Sequence, residues 1–169
     1  MKKTLIVIDM QNDFVTGSLG SKEAQAIVPN VKKKIGEYEA NGYDVVFTRD
    51  THQKDYLDTN EGKHLPVEHC IEGTNGWCIL DELYWEPHPI VDKPTFGNLY
   101  WKEFFDFEEI ELVGLCTDIC VVSNALILKA MYPDANITVD ASCCAGVTPE
   151  SHQAALTTMK MCQINVIGE

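Results

Sequence analysis

Three side chains of this 169-residue chain are of the right types to do chemistry together: Cys120, Asp9 and Lys93. Cys120 lies in the run Glu111-Leu-Val-Gly-Leu-Cys-Thr-Asp-Ile-Cys120-Val-Val. That run reads as an apolar strand that breaks between Gly114 and Thr117 and restarts as a helix with Thr117 as its N-cap. A thiol in the first turn faces the positive end of the helix dipole, which lowers its pKa and favours the nucleophilic thiolate. The backbone N–H groups of Cys116 and Cys120 at the same turn suit an oxyanion. Asp9 follows the apolar run Thr4-Leu-Ile-Val-Ile8, and Lys93 closes Ile90-Val-Asp-Lys93. Taken singly, Asp9 reads as a turn residue, Lys93 as a snorkelling surface lysine and Cys120 as a small core residue. At one edge, they suit nucleophilic attack on a carbonyl. Asp9 takes the thiol proton and later gives it to a leaving amine, while the Lys93 charge stabilises carboxylate and thiolate.

A second cluster lies in Arg49-Asp50-Thr-His52 and Asn60-Glu61-Gly-Lys-His64-Leu-Pro-Val-Glu-His69. Asp50 and His52 both follow a strand end and can reach one point above the sheet. Glu61, His64 and His69 can complete a mixed nitrogen and oxygen site suited to Zn²⁺, Mn²⁺ or Fe²⁺. Asp-x-His alone is a weak motif, and polar loop residues explain it equally well. The loop that holds the cluster is long, which favours function over decoration.

The elements that must position these groups alternate apolar and amphipathic runs, as strand–helix–strand units do. Strands are expected at Thr4–Ile8, Tyr43–Thr48, Ile90–Lys93, Glu109–Leu115, Asn136–Val139 and Ile164–Ile167. Helices are expected from near Pro29 to Ala40, around Leu99 to Phe105, from Asp118 to Met131, and from Thr148-Pro-Glu150 to about Met161. Asn41-Gly42 ends the first of them, and Thr148 with Pro149 starts the last. The pattern predicts a single α/β domain over residues 1–169: one doubly wound parallel sheet of about six strands with helices on both faces. In such sheets ligands bind beyond the carboxyl ends of the strands, where the strand order reverses. Asp9, Lys93 and Cys120 are all assigned to that edge.

Composition bounds the partners. Thirteen basic and twenty-six acidic residues leave a net charge of -13, which repels nucleic acid and anionic membrane surfaces. Seven cysteines is an odd count, mostly inside apolar runs, and the segment before Asp9 is too short for a signal peptide's apolar region. A reduced, cytoplasmic protein is the expectation. Cys116-x-x-x-Cys120 does not have the two-residue gap of thioredoxin-like redox motifs, and adjacent Cys143 and Cys144 rarely meet disulfide geometry with each other.

The motifs Leu5-Ile-Val-Ile-Asp9-Met-Gln-Asn-Asp13-Phe14, Thr48-Arg-Asp50-x-His52, Pro66-x-x-His69-Cys, Gly73-Thr74-x-Gly76, Lys93 and Gly114-x-Cys-Thr-Asp118-x-Cys120-Val stand in this order from about Thr4 to Ile167. In this the chain resembles the isochorismatase-like cysteine hydrolases and, within them, is most similar to nicotinamidases (pyrazinamidases). The resemblance implies an Asp–Lys–Cys triad at Asp9, Lys93 and Cys120. It also implies a cis peptide at Leu115–Cys116 that aims the Cys116 N–H into an oxyanion hole. A metal, Zn or else Mn or Fe, is implied at Asp50, His52, Glu61 and His69, with His64 the rival of Glu61. Its open face would take the pyridine nitrogen of a small amide substrate. Phe14, Leu19, Trp77 and Phe96 are the expected pocket walls. A carbamoyl, ureido or other small amide is the alternative substrate. Family members commonly self-associate, so a homo-oligomer is expected, with Tyr100, Trp101, Phe104 and Phe105 as a contact face unless those rings pack on the sheet.

Overall fold

The computed structural model describes residues 3–104 and 108–169. Among these residues six strands form one parallel sheet: β1 (Lys3–Ile8), β2 (Asp44–Asp50), β3 (Ile90–Lys93), β4 (Glu109–Leu115), β5 (Asn136–Ala145) and β6 (Asn165–Ile167). Their order across the sheet is β3-β2-β1-β4-β5-β6, every neighbouring pair being parallel. The helices are α1 (Asn12–Val15), α2 (Lys22–Ala40), α3 (Asn60–His64), α4 (Trp101–Phe104), α5 (Val122–Met131) and α6 (Pro149–Met161).

The central strands are mostly apolar because both their faces are covered. With side chains alternating every residue, Leu5 and Val7 of β1 pack with Ile27, Val31 and Ile35 of α2. Ile6 and Ile8 point the other way, into the cluster of Ala125 and Leu128 of α5 and Leu156 and Met159 of α6. Strand order reverses between β1 and β4, so a crevice opens where these two strands end.

Helix α2 starts a full two turns earlier than the sequence pattern suggests. Ser21 caps it, its hydroxyl accepting the Ala24 N–H at 3.0 Å, and Pro29 sits inside the helix. Ala24, Ile27, Val28 and Val31 are all buried, so the apolar stripe runs straight through the proline. Burial along that stripe outweighs one missing backbone donor. Strand β5 also runs on, to Ala145, because its polar residues have partners: Asp140 pairs with Lys34 and with the Ser142 hydroxyl. Cys143 and Cys144 therefore lie within the strand, facing opposite cores, rather than after its end. Thr148 caps α6 with the expected proline behind it.

Two backbone features shape the crevice. Asp9, directly after β1, takes φ 48°, the left-handed region that non-glycine residues seldom enter. Gly114 takes φ 117° at an irregularity of the β4–β5 pairing, and a Cβ there would lie 2.1 Å from the Ile8 carbonyl oxygen. Gly114→Ala is therefore expected to destabilise the protein by about 3 kcal/mol or more, read as a lowered urea midpoint. The peptide Leu115–Cys116 is cis.

Trp101 is fully buried against the sheet, while Tyr100 is exposed. The Phe104 side chain and all of Phe105, the rest of the expected contact face, lie outside the described residues. Among the described residues no helix is long and apolar enough to cross a membrane.

Candidate active site

The carboxyl ends of β1, β3 and β4 bring Asp9, Lys93 and Cys120 together, as their sequence positions predict. Lys93 Nζ lies 2.5 Å from Asp9 Oδ2 and 3.5 Å from Cys120 Sγ. Lys93 and Asp9 are 0% exposed and Cys120 is 4% exposed, so the contacts work without water between them. Thr48, at the end of β2, fixes the carboxylate twice: its hydroxyl donates to Asp9 Oδ1 at 2.6 Å and accepts the Asp9 N–H at 3.1 Å.

Electrostatics here departs from the expectation drawn from the helix dipole. Burial and the Asp9 carboxylate push the Cys120 thiol well above its usual 9.0, and Lys93 opposes them only in part. The residues from Thr117 to Val121 form a π-helical turn before α5, and Thr117 does not cap it: its hydroxyl meets His152 Nδ1 at 2.7 Å. A dipole at so short a turn is weaker than complete desolvation of the thiolate. The resting sulfur is a thiol. Burial also raises Asp9 above 3.8, against the pull of Lys93. Burial favours neutral Lys93, yet the charges of Asp9 and Asp50 hold its pKa above 10.5. The arrangement is thus a protonated thiol beside a carboxylate of raised basicity, bridged by an ammonium.

The second cluster also assembles. Asp50, His52, Glu61 and His69 present donor atoms that all lie within 4.8 Å of one another. Their ligand atoms are 2.9 Å (His52–Asp50), 3.5 Å (His69–Asp50), 3.6 Å (His52–Glu61) and 3.9 Å (His69–Glu61) apart. Four ligands about 2.1 Å from one ion would sit about 3.4 Å apart, so the group fits a divalent transition metal. Its two nitrogens and two carboxylates suit Zn²⁺, Mn²⁺ or Fe²⁺. His69 Nδ1 donates to the Val67 carbonyl at 2.8 Å, which aims Nε2 at the group. Glu61 belongs to the group; His64 does not, being exposed with Nδ1 donating to the Asn60 carbonyl. Burial and the Asp50 charge raise Glu61, while hydrogen bonds from both histidines outweigh burial and hold Asp50 well below the usual carboxylate range.

Gln11, fully buried, ties the two clusters. Its Nε2 donates to the carbonyls of Asp50 (2.9 Å) and Trp77 (2.8 Å), and its Oε1 accepts the Asp50 N–H at 2.7 Å. Asp13 does similar work for the loop, accepting the Cys70 N–H at 2.8 Å next to His69. Neither Gln11, Asp13 nor Thr48 announces this from its type alone; the signal was only their place in the quoted motifs.

A cavity of about 420 Å³ joins the clusters: Asp50, Glu61, His69, Cys116 and Cys120 all line it. Phe14, Leu19 and Phe96 line it as expected, joined by Leu65, Ile119 and Val147, which the sequence pattern did not mark. Trp77 does not. Its indole N–H donates to Thr51 Oγ1 at 2.8 Å and the Arg49 guanidinium stacks on its ring at 3.6 Å, so it braces the loop outside the cavity. Val147 is held in the wall by Asp118, whose carboxylate accepts the Val147 N–H and the Ser151 hydroxyl.

A parallel sheet of this order, with a thiol, an ammonium and a carboxylate at its switch point, defines an α/β enzyme of the hydrolase class. Residues 3–168 match the Isochorismatase domain, and the chain belongs to the isochorismatase family. It is 31% identical to the isochorismatase family protein PncA of Bacillus subtilis (strain 168) over 93% of each chain. Its fold superposes on the crystal structure of nicotinamidase/pyrazinamidase PncA from Bacillus subtilis with a TM-score of 0.84, at 28% identity over 99% of this chain and 100% of that one. The pyrazinamidase of Pyrococcus horikoshii in complex with zinc is similar with a TM-score of 0.82, at 25% identity over the whole of both chains. The chain is an amidohydrolase of this family.

Proposed function

We propose that this amidohydrolase converts nicotinamide to nicotinate and ammonia through a thioester on Cys120. The observation that supports it is one cavity lined both by the Cys120 thiol and by Asp50, Glu61 and His69 of the metal-binding group. Apolar walls from Phe14, Leu19 and Phe96 suit a flat ring between them.

Asp9 takes the Cys120 proton, and the thiolate adds to the carboxamide carbon. The charge that develops on the carbonyl oxygen is held by the backbone N–H groups of Cys116 and Cys120. Collapse of this intermediate breaks the C–N bond, and Asp9 returns the proton to the departing ammonia. Asp9 then takes a proton from water, whose hydroxide adds to the thioester carbon; the thiol leaves with that proton and nicotinate is released. Lys93 stays charged throughout, compensating first the carboxylate and then the thiolate. A Zn²⁺, Mn²⁺ or Fe²⁺ held by Asp50, His52, Glu61 and His69 would supply an open coordination position for the pyridine nitrogen.

The test is ammonia release from nicotinamide with and without a chelator. Release that falls by at least about tenfold on metal removal and returns with Zn²⁺ supports the reading. A metal-loaded enzyme that leaves nicotinamide untouched but hydrolyses a ureido or carbamoyl acid would replace the substrate and keep the chemistry.

The raised pKa of Asp9 sets the acid side of the rate profile. As pH falls through that pKa, Asp9 gains a proton and can no longer accept one from the thiol. The acid limb of kcat/KM is therefore expected above pH 3.8, the ordinary aspartate position. A limb at or below that value in a pH–rate series would contradict the burial argument.

A further inference from the structure

Asn124, on the first turns of α5, is fully buried and uses both ends of its amide twice. Its Nδ2 donates to the carbonyls of Cys120 (2.8 Å) and Phe96 (3.1 Å). Its Oδ1 accepts the Asn98 N–H (3.0 Å) and the Trp101 indole N–H (3.2 Å). One partner belongs to the turn that carries the thiol. The other three belong to the segment that follows Lys93 and brings Phe96 into the cavity wall. That segment is also held at its start, where Lys93 Nζ donates to the Thr95 carbonyl at 3.2 Å.

Only an asparagine or glutamine side chain offers two donors and two acceptor sites at one point, and asparagine is the shorter. A packing role alone would be met by an apolar residue without burying an amide, whereas a fully satisfied buried network fixes one arrangement. We infer that Asn124 is a positioning residue that holds the Cys120 turn in register with Lys93 and with the Phe96 wall. The inference rests on the reading of Cys120 as the nucleophile. Nothing in the quoted motifs marks Asn124: its role comes from four contacts that span 28 residues of sequence.

Two variants test it. Asn124→Ala removes all four contacts and leaves room for water to meet the freed groups. Asn124→Ser keeps a hydroxyl that can bond back to the Cys120 carbonyl four residues earlier, but cannot reach across to Phe96 and Asn98. The first readout is the rate at which iodoacetamide alkylates Cys120, followed by mass spectrometry of its peptide. The second is kcat and KM for nicotinamide, taken per folded molecule.

Misplacement of the thiol from Lys93 is expected to slow alkylation by about 10–100-fold in Asn124→Ala, with Asn124→Ser between it and the unmodified protein, and to lower kcat by a similar factor. Loosened packing alone would leave alkylation unchanged or speed it by exposing the sulfur. Alkylation at or above the unmodified rate in both variants overturns the inference, as does failure of both to fold, which would assign Asn124 to stability. If the unmodified enzyme does not act on nicotinamide, the proposed substrate falls, and the alkylation rates still decide the role of Asn124.

Discussion

Replacing Cys120 with alanine is expected to cut ammonia release from nicotinamide by about a thousandfold or more while the fold persists. The residue is small, and the cavity next to it takes up part of the lost volume, so the stability cost is about 1 kcal/mol. In the proposed reaction its sulfur forms the thioester; no other described thiol is hydrogen-bonded to Lys93 Nζ. Cys116 lines the same cavity, but the hydrogen bond from Lys93 Nζ goes to Cys120. Near-native circular dichroism together with absent turnover is the expected pair of results. Turnover that survives in Cys120→Ala would remove the sulfur from the mechanism altogether.

Lys93→Met is expected to be the most damaging single change to stability in the site. Lys93 and Asp9 are both fully buried and lie 2.5 Å apart. Removing one partner leaves a carboxylate in the interior with no compensating charge, which costs about 3–5 kcal/mol. Asp50, 3.8 Å from the same ammonium, loses a counter-charge as well. The adjacent hydrogen bonds from Thr48 remain but cannot neutralise Asp9. In urea unfolding the midpoint drops, and turnover at neutral pH is lost because Asp9, without the ammonium that lowers its pKa, keeps its proton and cannot take one from the thiol. The double variant Asp9→Asn, Lys93→Met is expected to recover most of the stability and none of the activity. A double variant no more stable than Lys93→Met would show that the loss comes from packing rather than from the stranded charge.

These two outcomes separate what the pair does for the fold from what it does for the reaction. A buried ion pair is poor evidence for stability in itself, since apolar residues of equal volume often do as well. Its retention at the mouth of a central crevice is better explained by proton transfer, which needs a base kept out of water and a cation to match the charge that moves.

Much of this architecture was legible without coordinates. Uninterrupted runs such as Leu5–Ile8 and Leu112–Leu115 mark strands covered on both faces, and their alternation with amphipathic stretches predicts a parallel sheet. Once the strands are placed, chain connectivity alone puts Asp9, Lys93 and Cys120 at one edge, because every strand of a parallel sheet ends on the same side. Thr148-Pro149 and Asn41-Gly42 act within one turn of the chain, so local rules suffice for them.

What needed the folded chain was everything set by neighbours distant in sequence. The start of α2 at Ser21 depends on a stripe of buried contacts that overrides Pro29. Glu61 prevails over His64 because α3 turns one toward Asp50 and the other toward solvent, a choice of face that spacing leaves open. Trp77 reads as a pocket wall until Arg49 is seen stacked on it. The protonation of Cys120 is the sharpest case. The helix terminus, a feature local in sequence, argues for a thiolate; the burial that favours the thiol involves residues more than a hundred positions away, such as Ile6 and Ile8 of β1. Dipoles and caps follow the chain, while desolvation follows what packs around a group, and here desolvation is the larger force.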